Sequence, residues 1–489
     1  MQSIYNKKIS FRSQKNMKTP RFCIILLSFI LFISHFSVSA EDDYTDSIKT
    51  FLHDNFDHKN VGMVIGIVDE RGNRFFSAGS MDNGTDQEPN GETVFEIGSV
   101  SKTFTTLLLQ DMVERKDMAL DDPVSKYLPE TVKMPAYNGK EITLLDLATH
   151  TSGLPFNPDN LSHGDNLFAD YTAGKMYDYL SGYALNHDPG IKFEYSNTGM
   201  GLLGHVISLK AGKDYETLVV ERICRPLDMQ STCITLTPEL KARLATGHDK
   251  TGNPVTNWDF QVMAGAGAIR STANDLLKYV SANLGLTKSN LTPLMQKNHV
   301  IRHRDSPKPG DPDLGNTAMP WFDNGVYNPP GMELLGHAGG TGGYSAFIGF
   351  DKQNRRGVVV LANQQGRFSS GSIGWRILQL AQLSGKDIAT MMPVRWHVGI
   401  GTGLEIDEKT HTLQITKILP NSPAAQAGLS TGLIVQKIDE VPTAGKSLAE
   451  CTGMLRGTAD TKVRLELVDS ERKHTSKVEL TRQRFLIDE

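Results

Sequence analysis

Ser99 stands three residues ahead of Lys102 in the run Phe95-Glu-Ile-Gly-Ser-Val-Ser-Lys-Thr-Phe104. Apolar positions continue through Leu107, Leu108 and Met112, so the spacing predicts a helix that Ser99 opens. On a helix, positions i and i+3 share a face, which brings the lysine amine within reach of the serine hydroxyl. A serine at a helix start also feels the positive end of the dipole, which favours an oxyanion forming beside it. A lysine held in a partly buried cleft can lose its proton near neutral pH and act as a base. The chemistry open to such a pair is acyl transfer through a serine ester.

Alone, Ser-x-x-Lys is a weak signal. It recurs at Ser470-Glu-Arg-Lys473 in a polar stretch, and a serine ahead of a helix is often only a cap. Two further segments strengthen it. Phe193-Glu-Tyr-Ser-Asn197 follows a Pro189-Gly190 turn and precedes an apolar helix carrying Leu202 and Leu203. Beside a Ser/Lys pair, Tyr195 can relay protons and Asn197 can hold a substrate amide. The plain alternative is a core tyrosine and a capping asparagine. Gly336-His-Ala-Gly-Gly-Thr-Gly-Gly343 leads into a strand, Tyr344 to Phe350. Its glycines, Gly339 and Gly340 among them, let a ligand approach the backbone and leave N–H groups for an oxyanion; otherwise the segment is a flexible loop.

These segments must be positioned by the elements around them. Val61 to Val68 and Arg74 to Ala78 read as a hairpin, after a helix from Tyr44 to Asn55. A second hairpin runs from Tyr344 to Phe350 and from Gly357 to Ala362, and Ile373 to Leu383 reads as a closing helix. Between the hairpins the pattern is helical, clearest at Leu107–Arg115, Leu144–Ala148, Gly199–Leu209 and Ala273–Leu284. The expectation is an α/β fold in which an antiparallel sheet is built from both ends of the segment, with an all-α insertion. After Thr390, short β-like runs take over at Leu413–Ile418, Ile434–Ile438, Val463–Val468 and Val478–Leu480, enough for a small mainly β domain.

The bulk composition sets bounds. A chain of 489 residues exceeds one ordinary domain. Its 39% hydrophobic and 22% charged content is globular, and a net charge of -4 without basic runs excludes nucleic acid as main partner. Lys18 and Arg21 precede an apolar run from Phe22 to Phe36, and small residues at Ser37 to Ala40 follow. This reads as a leader over 1–40 that exports the protein to the periplasm or outside, with no membrane contact after cleavage; an uncleaved anchor is the alternative. Cys224 and Cys233 could pair in an oxidising compartment, or they and Cys451 are buried free thiols. No CxxC and no His-Glu-x-x-His occurs, so no metal site is expected.

In this order and setting the three segments resemble the serine β-lactamase and penicillin-binding-protein superfamily, most nearly its class C branch with esterase and D-amino-acid peptidase relatives. Leu120-Asp-Asp-Pro-Val124, Ile142-Thr-Leu-Leu-Asp-Leu-Ala-Thr-His-Thr-Ser-Gly-Leu-Pro155 and Val358 to Asn363 extend the likeness, which covers about residues 45–385. The resemblance implies Ser99 as nucleophile, Lys102 as its activator, and Tyr195 as base in acylation and proton donor to the leaving group. It further implies Asn197 as a substrate contact and the N–H groups of Ser99 and Gly340 as oxyanion hole. One position departs: where class C enzymes read Lys-Thr-Gly, this chain has His337-Ala-Gly. A lysine is a cation suited to a substrate carboxylate, whereas histidine is mostly neutral at pH 7. His337 therefore points toward D-peptide or ester substrates beside β-lactams; Arg367, just past the last strand, could supply the missing cation, although a solvated arginine is the plainer reading. A non-enzymatic reading, a slow acylable sensor of penicillin or peptidoglycan, leaves Lys102 and Tyr195 without a purpose.

The tail resembles a PDZ domain, through Ser422-Pro-Ala-Ala-Gln-Ala-Gly-Leu429 before a glycine-led strand. That likeness implies Val398, Gly399, Ile400 and Gly401 as a loop capturing a peptide C-terminus; a domain that merely packs or tethers is the alternative. The division expected is a leader at 1–40, a hydrolase at 41–390 and a PDZ-like domain at 395–489. Within the hydrolase the α/β parts lie at about 41–105 and 330–390 and the helical part at about 106–329. The substrate is a small molecule or peptide, and no cofactor is implied.

Overall fold

The computed structural model describes residues 45–85, 87–303, 316–323, 332–366, 369–379, 396–407, 410–420, 422–456, 460–469 and 474–486. The leader, Arg367, Ser470–Lys473 and the expected boundary near 390–395 lie outside these residues.

Strand β1 (Gly62–Asp69) is an unbroken apolar run, buried along almost its whole length, because it lies inside a sheet covered on both faces. Its neighbours are β2 (Gly72–Gly79) and, from the far end of the chain, β7 (Arg356–Ala362), with Met63 opposite Ala362. The remaining strands are β3 (Asn316–Thr317), β4 (Phe322–Asp323), β5 (Leu334–Gly340) and β6 (Ser345–Asp351), in the antiparallel order β2-β1-β7-β6-β5-β4-β3. Between β2 and β3 the chain is mainly helical, carrying α1 (Ser101–Glu114), α2 (Leu144–Ala148), α3 (Asn197–Ala211) and α4 (Ala273–Leu284). Helix α5 (Ser370–Gln379) follows β7. Both expected hairpins and the helices at Leu144–Ala148 and Ala273–Leu284 are present.

Strand alternation assigns the two faces. Gly66 and Gly357 face α4, where an added Cβ would meet Leu277 at 3.0 Å and Val280 at 2.1 Å. Phe347 has the opposite parity and packs edge-on against Trp375 of α5, with ring centroids 5.2 Å apart. Among the described residues no helix is long and apolar enough to cross a membrane.

Two local expectations are corrected. Ser99 does not open the α-helix: it sits in a single 3-10 turn, Gly98–Val100, and α1 starts at Ser101. The reason is Gly98, whose left-handed φ of +49° bends the chain just ahead of the helix. The glycine-rich segment is no loose lead-in, since Leu334–Gly340 is itself strand β5, paired along β6 from Leu334↔Asp351 to Gly340↔Ser345. Cys224 and Cys233 are free thiols, so the pairing alternative is not realised. Cys224 lies buried in a helical turn, while the backbone of Cys233 is bridged to Arg270.

A second sheet follows residue 400, with β8 (Thr402–Ile406), β9 (Leu413–Ile418), β10 (Ile434–Ile438), β11 (Lys462–Val468) and β12 (Thr475–Thr481) in that spatial order. It has its own core, including Ile400, Ile415, Val435, Ile438, Leu455 and Leu465.

The Phe347 ring rests on three glycines: an added Cβ would fall 2.8 Å from it at Gly336, 2.5 Å at Gly349 and 2.0 Å at Gly374. Gly374→Ala gains up to about 1 kcal/mol of helix propensity. It also forces a methyl into a filled space, at a cost of about 1–3 kcal/mol. Overpacking wins, so chemical denaturation of Gly374→Ala is expected to show a net loss of stability.

Candidate active site

The Ser99 turn is held from two sides. Phe95–Glu96 pairs with Arg270–Ser271, and Ile97 N–H donates to Ile269 O at 3.1 Å. Ser101 Oγ accepts from Ile269 N–H at 3.1 Å, and Thr105 Oγ1 donates to Gly265 O at 2.7 Å. These bonds fasten the segment 264–270 along α1 and so fix the Ala266 carbonyl. From the other side β5 comes to backbone contact. A Cβ on Gly98 would lie 2.7 Å from Gly340 N, and one on Gly339 would lie 2.1 Å from Ile97 O and 3.0 Å from Ser99 N. Only glycine permits this approach.

Lys102 is completely buried. Its Nζ lies 2.7 Å from Ser99 Oγ and 2.7 Å from Ala266 O, and 4.9 Å from the centre of the Tyr195 ring. Burial holds its pKa well below the usual lysine range. An unprotonated amine can donate to the Ala266 carbonyl while keeping a lone pair for the Ser99 hydroxyl.

Tyr195 lies half-buried just before α3, and Ser196 caps that helix by accepting from Gly199 N–H at 2.8 Å. Burial raises the Tyr195 pKa, while a hydrogen bond with Ser99 acts the other way. Asn197 N–H donates to Phe156 O at 2.8 Å, and its Nδ2 donates to Asn157 Oδ1 at 3.0 Å. Phe156, 58% exposed, stands 5.9 Å from the Tyr195 ring.

His337 is buried on β5, with its ring 5.1 Å from that of Phe322 on β4 and 6.4 Å from that of Tyr195. Nδ1 is 2.7 Å from Ala338 O, so it carries the proton and leaves Nε2 as an acceptor, which has no partner among the described residues. Burial pushes the His337 pKa down to about 3, partly opposed by the Ala338 bond. The ring is neutral.

Ser99, Lys102, Tyr195, His337, Gly339 and Gly340 thus lie together, and Asn197 starts α3 two residues after Tyr195. Val398, Gly399, Ile400 and Gly401 belong to the C-terminal β region; Ile400 O accepts from Ala424 N–H at 2.9 Å, and a Cβ on Gly401 would meet Ser422 at 2.1 Å. The side chain of Val398 lies outside the description. Three participants had no role assigned from sequence: the Ala266 carbonyl, Phe322 and His150. A backbone carbonyl carries no sequence mark. His150 lay inside the long stretch Ile142–Pro155 that carries the family likeness. Among the described residues no group of three or more His, Cys, Asp or Glu is placed to hold a metal ion.

Comparison with known proteins agrees with this geometry. Residues 43–383 match the Beta-lactamase family. The D-alanyl-D-alanine-carboxypeptidase/endopeptidase AmpH of Escherichia coli is 30% identical over 333 residues, covering 66% of this chain and 85% of that protein. A solved β-lactamase/D-alanine carboxypeptidase from Yersinia pestis superposes with a TM-score of 0.58 at 25% identity, covering 68% of this chain and 97% of that one. A class C β-lactamase from Rhodobacter sphaeroides gives 0.56 at 25% identity over 66% and 95%. The chain is therefore a serine hydrolase of the β-lactamase family, in its class C-like branch.

Proposed function

We propose that the protein hydrolyses β-lactams or related amides through an acyl-enzyme on Ser99. The observation that carries this is the 2.7 Å contact between Ser99 Oγ and the buried Lys102 amine. Ser99 Oγ attacks the carbonyl carbon and its proton passes to Lys102 Nζ. The N–H groups of Ser99 and Gly340 receive the oxyanion, while Gly339 allows the close approach. Tyr195 gives its phenolic proton to the leaving nitrogen and recovers one from Lys102. Water then attacks the ester, and Ser99 leaves with its proton restored. The raised Tyr195 pKa and lowered Lys102 pKa favour the lysine as first proton acceptor with Tyr195 as a relay; Tyr195 as the acylation base, which the resemblance implies, is the alternative. Asn197 orients the acyl side chain.

His337 favours a second reading of the substrate. A neutral imidazole with a free acceptor nitrogen gives no cation for a carboxylate, which suits D-amino-acid peptides or esters. The relatives' names span both chemistries.

For the C-terminal region we propose a separate PDZ-like domain at 395–489, beside a leader at 1–40 that exports a hydrolase at 41–390. A separate core and a sheet with β8 at its edge support it. A peptide would add to β8, with its carboxylate at Val398–Gly401.

Steady-state assay with a chromogenic cephalosporin tests the first reading: turnover is expected, with Ser99→Ala lowering kcat at least about 10³-fold. No turnover, with an ester or D-alanyl amide cleaved instead, selects the second reading.

A pH series tests Lys102. Acylation is expected to slow as pH falls through its lowered pKa, because the protonated amine accepts nothing. Stability follows the same group: its unfolded pKa is near 10.5 and its folded pKa lies below. The unfolded chain therefore binds more protons, and stability drops as pH falls from 10.5 to the folded pKa. Lys102→Met removes that slope, read by denaturation at about pH 7 and about pH 10.

Fluorescence anisotropy with a peptide ending in a free carboxylate and with its amide tests the C-terminal region. A preference of about 10-fold or more for the free acid is expected; equal binding would leave only a tethering role.

A further inference from the structure

Tyr195 belongs to no helix or strand: it lies in the irregular stretch between the Pro189-Gly190 turn and α3. A phenol that relays a proton must nevertheless hold one place over Lys102, because errors near 1 Å cost about 10²-fold in rate. Contacts that hold it converge on one residue, through its backbone and its ring. Glu194 N–H donates to His150 O at 2.7 Å, and Ser196 N–H donates to His150 Nδ1 at 3.1 Å. The His150 ring stacks on the Tyr195 ring itself, with centroids 4.3 Å apart and planes at 27°. Three consecutive residues are thus clamped by one histidine.

His150 is suited to this in ways its neighbours are not. Its φ of +59° lies in the left-handed region, where His, Asn and Asp are enriched and branched residues are strained. It is fully buried, and the segment is anchored below by the Thr143–Asp146 capping box of α2 and by Thr151 N–H donating to Asp146 O at 2.9 Å. Because Nδ1 accepts a backbone N–H, the proton sits on Nε2, and the ring is neutral. Burial, the largest cause, lowers its pKa well below the ordinary histidine value. Phe322 lies parallel to the His150 ring, 6.5 Å away, and its ring is 6.3 Å from that of Tyr195.

We propose that His150 is the positioning residue that holds the Tyr195 phenol over Lys102, by stacking on its ring and bonding the backbone on either side of it. The proposal rests on the reading of Tyr195 as proton relay. His150 touches neither substrate nor reacting atoms.

A double-mutant cycle on kcat tests it, using a chromogenic substrate the wild type cleaves, with circular dichroism and thermal midpoints to confirm folding. His150→Phe keeps a ring and loses the acceptor; His150→Asn keeps the acceptor and tolerates the left-handed φ. His150→Phe is expected to lower kcat about 10–100-fold with KM within about threefold. His150→Asn should recover part of that loss. In a Tyr195→Phe background, His150→Phe should add less than about threefold, because the residue acts through a phenol no longer there. Loss that multiplies in full on Tyr195→Phe, or wild-type kcat in folded His150→Phe, overturns the proposal alone. Wild-type kcat in Tyr195→Phe overturns the relay reading and this inference with it.

Discussion

An amine buried without a counter-charge is the constraint on which the cleft depends. Lys102 has a serine hydroxyl and a backbone carbonyl within 2.7 Å and is completely shielded from water. An ammonium so placed is penalised, so burial lowers the amine's pKa well below the usual lysine range. Everything near it is consistent with a neutral interior: the histidines at 150 and 337 are both driven to their uncharged forms, and Tyr195 keeps its proton. The cleft holds its reactive groups ready for proton transfer without fixed charges that would resist it.

That environment exists only because distant backbone segments meet without side chains between them. Gly98 faces Gly340, and Gly339 faces Ile97 and Ser99, at distances that leave no room for a Cβ. The same device recurs on the helical side, where a Cβ on Gly204 of α3 would come within 2.9 Å of Gly265 Cα, next to the carbonyl that Lys102 uses. The sheet that joins residues 62–79 with 316–362 is what brings the Ser99 turn and the glycine strand β5 together.

His337 gives the site its individual character. Its protonated Nδ1 is engaged by the next carbonyl, so the nitrogen left over accepts and does not donate. A lysine in this place would offer a permanent charge. The exchange removes a cation from this part of the site, while Ser99 Oγ keeps its 2.7 Å contact with Lys102.

By itself the sequence determined the family, through the joint order of its motifs, together with the two hairpins and the principal helices, and it marked Ser99, Lys102, Tyr195 and Asn197 as candidates. The Ser99–Lys102 pair and the elements are written in local spacing: i and i+3 for the pair, period two for the strands, turn residues between them. It also marked His337 as the odd position. What tertiary structure decided is whatever depends on residues far apart in sequence. The turn geometry ahead of α1, the pairing of β5 as a strand, the free state of Cys224 and Cys233 and the lowered pKa of Lys102 follow from packing. So does the grip of His150 on residues 194 to 196, since a hydrogen bond between distant segments leaves no period or spacing to read.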